Sequence, residues 1–153
     1  MGTVTYPDPD VAQLLKTRFV AIRLDVGENA ELAGRYNALW TPALLCLDAD
    51  DRVHARTYGF LPPEEFAAHL VLWEGRYALG RGEHVRAERC FDEVATRWAH
   101  ASSAPEALYW KGVAQYLAGD AKSLRMTWEN LTRRYPETAW QVRTSFLFPR
   151  VPQ

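Results

Sequence analysis

The sequence predicts a small α/β segment followed by an all-helical one. Three observations carry that expectation: strand and helix patterns alternate over residues 1–62, strand signal is lost from Pro63 onward, and the helical remainder repeats itself when shifted by 37 positions. With 153 residues, 48% of them hydrophobic and 24% charged, the chain is globular, with a core large enough for one domain or two small ones.

The first half can be justified element by element. After the turn-rich Tyr6-Pro7-Asp8-Pro9, Asp10 is placed to cap a short helix over Val11–Thr17, with Val11, Leu14 and Leu15 at helical spacing. Phe19 to Val26 is a β-rich, mostly apolar run interrupted by Asp25, the pattern of a strand buried on both faces. Asn29 is placed to cap a second helix whose Leu32, Ala33 and Tyr36 share a face, and Thr41-Pro42 then forces extended or turn backbone. Ala43 to Leu47 reads as a second strand and Val53 to Tyr58 as a third. The acidic cluster Asp48-Ala49-Asp50-Asp51 between them implies an antiparallel hairpin, which Gly59 ends.

From Pro63 the periodicity is helical, with proline and two acids in a first turn and Phe66, Leu70 and Trp73 on one face. Shifted by 37, Trp73 falls on Trp110, Gly75 on Gly112, Gly82 on Gly119, Glu83 on Asp120, Phe91 on Trp128, Arg97 on Arg134 and Trp98 on Tyr135. Matches at both turn and core positions predict two copies of a helical hairpin, each turning at a Gly-acid step. A further helix is expected from about Thr138 to Phe146. The apolar Phe146-Leu147-Phe148-Pro149 is expected to pack on the last hairpin or on another subunit.

The repeat resembles the tetratricopeptide (TPR) family. The second copy carries Gly112, Gly119, Trp128 and Tyr135-Pro136 at the family's spacing, with Leu124 where the family prefers alanine. The first carries Gly75, Gly82, Ala87 and Phe91, with Ala99 in place of the proline. The family's usual repeat is about 34 residues, and the longer period here fits an elongated link over His100 to Ala104. The resemblance implies that certain positions of the first helix of each hairpin line a peptide-binding groove: Leu72, Arg76 and Leu79 in the first copy, and Tyr109, Val113 and Tyr116 in the second.

The front half resembles the later part of a thioredoxin domain, from the Phe19–Val26 run through Tyr36, Thr41-Pro42, Leu44 to Asp48, the acidic turn and Arg56 to Phe60 to a last helix from Pro63. The resemblance implies a cis peptide bond at Thr41-Pro42, with backbone beside it that pairs with bound peptide. It also exposes a gap: the family's CxxC, the tryptophan beside it and the central strand precede everything matched here. The domains expected are therefore a thioredoxin-like remnant over residues 1–74 and a TPR-like helical region over 63–153, sharing a helix at 63–80. The strands at 19–26 and 43–48 would lack the neighbour between them. Unpaired buried backbone groups cost about 1–3 kcal/mol each, so direct pairing, filling by the N-terminal segment or completion by a second copy is expected.

Enzymatic constellations are missing or incomplete. Cys46 and Cys90 are 44 positions apart and cannot form a CxxC; Cys46 reads as a buried strand thiol, and Cys90, within a turn of Arg86 and Arg89, is the candidate reactive thiol. His54, His69, His84 and His100 show no metal-ligand spacing, Ser102-Ser103 lacks a nucleophile context, and Gly80-Arg81-Gly82 is a helix turn rather than a phosphate loop. No catalytic residue, metal site or cofactor is expected. A formal charge of −1, from 18 basic and 19 acidic residues, argues against nucleic-acid binding, and no apolar run reaches a membrane span's length. With no leader-like start, a cytoplasmic protein is expected. The expected function is a non-enzymatic protein-interaction or scaffold module whose partner is a protein or peptide, foremost a second copy in a homo-oligomer. The alternative is a shortened thiol-disulfide oxidoreductase or thioredoxin-like chaperone whose CxxC lies upstream.

Overall fold

A computed structural model describes residues 1–147. It is mixed and mostly helical, with seven helices and one two-stranded antiparallel sheet among the described residues. Two compact units divide the chain, Met1–Ala67 and the residues from Ala68 on.

In the first unit, α1 spans Pro9–Arg18. Its cap is Asp8, whose carboxylate accepts from the amides of Asp10 (3.0 Å) and Val11 (3.2 Å), rather than the expected Asp10. Pro9 explains the shift: a proline suits the first helical position, where its missing N–H costs nothing, so the cap moves one residue upstream of it. Val11 and Leu14 are buried, as are Leu44, Phe66 and Thr5. The Thr5 hydroxyl is satisfied by donating to the Leu61 carbonyl at 2.7 Å. Helix α2 covers Ala30–Arg35; Asn29 stands at its N-cap, but its side-chain amide donates back to the Asp25 carbonyl (2.8 Å) instead of capping.

The hairpin forms at its expected limits, β1 over Ala43–Leu47 and β2 over Val53–Tyr58. Ala43 pairs with Tyr58 and Cys46 with Ala55, and the register shifts between Cys46 and Leu47. Its turn is organised by Asp48, which accepts from the amides of Asp50 (2.9 Å) and Arg52 (3.0 Å), while Asp51 takes a left-handed φ of 64°. At the other end Gly59 donates to the Pro42 carbonyl at 2.8 Å, and the Tyr58 hydroxyl donates to the Asn37 carbonyl at 2.7 Å.

The segment Phe19–Val26 departs from expectation. It is not a buried strand: it joins no sheet among the described residues, and Val20 is 92% and Ile22 77% exposed. Neither direct pairing with β1 nor filling of the gap by the N-terminal residues occurs, since β1 pairs with β2 alone. A β-rich run is compatible with a strand, but becomes one only when another strand supplies its hydrogen bonds.

Helix α3, Pro63–Gly80, carries the boundary between the units and enters the second with α4 (His84–Arg97), α5 (Ala104–Leu117) and α6 (Ala121–Arg134). The 37-residue periodicity is visible in the local geometry. At the end of α3 the amide of Gly82 (φ +76°) donates to Leu79 and that of Glu83 to Ala78; at the end of α5 Gly119 (φ +90°) donates to Tyr116 and Asp120 to Gln115. Each pair of bonds satisfies carbonyls that a helix end leaves open, and needs a left-handed residue, hence glycine. The ends of α4 and α6 match as well: Trp98 and Tyr135 close the helices, with Arg97 and Arg134 placed over their rings at 4.8 and 5.2 Å.

Packing repeats too. A Cβ built on Gly75 would stand 2.7 Å from the Phe91 ring, and one on Gly112 2.6 Å from Cδ1 of Trp128, so both glycines let an aromatic of the following helix lie against the backbone. Ala95 of α4, Leu108 of α5 and Leu131 of α6 form a buried cluster flanked by Tyr109, Tyr135 and Trp140. The last helix, α7, is only Ala139–Val142, shorter than the expected run to Phe146; beyond it the chain turns, with Thr144 donating from its amide to Gln141 and Leu147 to Thr144. Thr144 is fully buried and its hydroxyl also bonds the Gln141 carbonyl (2.8 Å), which favours the turn over further helix.

Candidate interaction surfaces

The six expected groove positions do not form one accessible face. Leu72 is 2% exposed and belongs to the core. Tyr109 is partly buried, stacked on Trp128 with ring centroids 5.2 Å apart and tilted against Trp140 at 5.3 Å. Neither is available to a peptide: helical register assigns residues to faces, but packing decides which face is covered, and for Tyr109 the covering groups are Trp128 of α6 and Trp140 of α7. Leu79 and Val113 are half-buried, and Arg76 and Tyr116 are exposed, Tyr116 by 59%. Arg76 is engaged, with Nη1 3.3 Å from a Glu106 carboxylate oxygen that also accepts from the Trp110 indole at 3.0 Å, and its guanidinium lies over the Trp110 ring at 5.6 Å.

Cys90, the candidate reactive thiol, is buried on α4 beside Gly75, where it packs as a small apolar side chain. Cys46, on β1, is half-buried. In the tail, Phe146 is 71% exposed yet meets the Trp128 ring edge-on at 5.9 Å, in keeping with its expected packing on the last hairpin; Phe148-Pro149 lie outside the described residues.

The first unit holds the more open apolar surface. The Thr41–Pro42 peptide bond is cis, the isomer that the thioredoxin resemblance implies. Beside it Leu39 and Trp40, which the sequence reading did not single out, are 72% and 70% exposed. A Leu-Trp pair in a non-periodic stretch directly before Thr-Pro is the signal that could have marked them. The Val20, Ile22, Leu24, Val26 stripe is open to solvent along its length, and Phe60, after the hairpin, is 55% exposed.

Electrostatics around the hairpin turn are local. The His54 ring nitrogen lies 2.7 Å from Oδ2 of Asp48; that bond, with the amides of Arg52 and Asp50, holds the Asp48 carboxyl at about 2. In the second unit, Arg86 bridges Glu74 (3.0 Å) and Glu83 (2.9 Å), and it keeps the Glu83 carboxyl below its usual range. The described residues contain no group of three or more His, Cys, Asp and Glu side chains able to hold a metal ion, and no helix long and apolar enough to cross a membrane. What the exposed elements can do chemically is recognise: extended backbone offers hydrogen bonds, and the side chains beside it offer apolar area.

Comparison with protein-family models gives no match, and neither does comparison with curated proteins.

Proposed function

We propose that the chain is a non-enzymatic protein-interaction module, a thioredoxin-like remnant joined to TPR-like hairpins, that associates with further copies of itself. The observation that carries this reading is the apolar surface of the first unit, where Val20, Ile22, Leu39 and Trp40 are all at least 70% exposed. These residues stand in two short stretches, and large apolar side chains left that exposed are what contact with another chain would cover. The TPR-like part of the reading is supported by the paired glycine turns and the paired glycine–aromatic contacts at a constant offset. We assign the module to the cytoplasm, in keeping with a chain that carries only two cysteines, Cys46 and Cys90, and thus no disulfide framework of the kind small secreted domains use.

Sedimentation velocity of the full chain over a dilution series tests the reading. A dimer or larger species that dissociates on dilution is expected. A single monomeric species at every concentration would refute self-association.

A further inference from the structure

Resting on that self-associating reading, we propose that Ile22–Val26 pairs antiparallel with the same segment of a second copy, in the register that sets Leu24 opposite Leu24 and Arg23 opposite Asp25. The backbone is the first argument. None of the amides of Val20, Ala21, Ile22, Arg23 and Leu24 donates a backbone hydrogen bond among the described residues, and the stretch belongs to no helix or strand there, so it offers a row of donors and acceptors for pairing. Such an edge is a template for a second strand. The side chains are the second argument: Val20, Ile22, Leu24 and Val26 alternate with Ala21, Arg23 and Asp25, and the alternate apolar members are 92%, 77%, 52% and 42% exposed.

Charge selects the occupant and the register. Pairing that keeps apolar residues opposite apolar residues permits only alternate registers, because a one-residue slip exchanges the two faces. Centred on Ile22, the pairing puts Arg23 against Ala21 and Asp25 against Phe19. Centred on Arg23, it puts two guanidinium groups face to face, which is destabilising. Centred on Leu24, it forms two Arg23–Asp25 pairs related by the two-fold axis, with Ile22 against Val26 on the opposite face. The segment is thus complementary in charge to itself, which an unrelated apolar peptide need not be.

Both partners are placed for that contact. Arg23 is exposed and forms no ion pair among the described residues. Asp25 uses Oδ1 alone to accept from the amides of Gly27 (2.8 Å) and Glu28 (3.3 Å), which leaves Oδ2 for a guanidinium. The turn that begins at Val26, closed by the Asn29 amide on the Asp25 carbonyl (3.0 Å), limits each strand to about five residues, the length of β1.

The test is sedimentation of the full chain with Arg23→Asp, with Asp25→Asn, and with an equal mixture of Arg23→Asp and Asp25→Arg, each checked for helix content by circular dichroism. Asp25→Asn keeps the acceptor that Gly27 and Glu28 use. Arg23→Asp is expected to weaken association by about tenfold or more, since two attractive pairs become two repulsive ones. Asp25→Asn should weaken it less, and the mixture should restore it. Backbone amides of Ile22 to Leu24 should be protected from hydrogen exchange in the wild-type dimer and lose that protection on dilution. Association of Arg23→Asp equal to wild type, or unprotected amides in the dimer, would overturn this register while leaving self-association through another surface intact. A wild-type chain that never associates would remove both.

Discussion

Gly112→Ala offers the most direct test of how the helical hairpins are held together. In an exposed helix the change is favourable by about 1 kcal/mol, because alanine loses less backbone entropy. Here the added methyl would lie 2.6 Å from Cδ1 of Trp128 and 3.0 Å from Cδ1 of Leu124, inside van der Waals contact. Trp128 cannot retreat freely: it is 5% exposed, stacked on Tyr109, and its indole donates to the Tyr109 carbonyl at 3.0 Å. Overpacking in such a site costs about 1–3 kcal/mol, and loosening the indole bond about another 0.5–1.5 kcal/mol. Set against the helix gain, the net loss is about 2 kcal/mol, or a Tm lower by roughly 4–8 °C for a chain of this size. Thermal unfolding followed by circular dichroism and by tryptophan fluorescence measures it. Gly80→Ala is the control, since a methyl there meets nothing within 4 Å; it should be neutral or stabilising. A Gly112→Ala chain as stable as wild type would refute the claim that glycine is required for close approach of α5 and α6.

Two further predictions concern polar groups. Gln115, 7% exposed, donates to Glu88 (2.7 Å) and accepts from the Thr127 hydroxyl (2.8 Å), linking α4, α5 and α6; Gln115→Leu should cost about 1–3 kcal/mol in urea unfolding by leaving buried Thr127 unpaired, and adding Thr127→Val should recover part of the loss. Equal stability of Gln115→Leu and wild type would contradict this role. Asp48 titrates at about 2 in the folded chain against an ordinary 3.8, so its contribution to the hairpin is present above pH 3.8 and is lost as the pH falls toward 2. In an NMR titration, His54→Ala should move the Asp48 carboxyl toward 3.8 without fully reaching it, because the Arg52 and Asp50 amides remain; an unmoved titration would rule out the His54 bond as the main cause.

The elements visible in the sequence are those whose causes lie within a few residues of them. The β1–β2 hairpin appears at its expected limits because β-rich runs on either side of an acidic turn define it, with Asp48 bonding two amides of its own loop. The two helical hairpins are legible for the same reason: glycines with positive φ and glycines against aromatics leave a repeating residue pattern that needs no knowledge of distant contacts. Details such as the Asp8 cap and the early end of α7 turn on which neighbouring bond wins, Pro9 in one case and the buried Thr144 hydroxyl in the other.

Pairing and exposure were settled elsewhere. Phe19–Val26 has the composition of a buried strand, yet strand formation depends on a partner's backbone, and composition is identical with or without one. Likewise Leu72 and Tyr109 sit where a groove was expected, and only the packing of their surroundings, including Trp128 and Trp140 against Tyr109, removes them from solvent. Periodicity tells which residues share a face, since that follows from backbone geometry one turn at a time. Which faces are covered depends on contacts between residues far apart in the chain, and those exist only once the helices have packed.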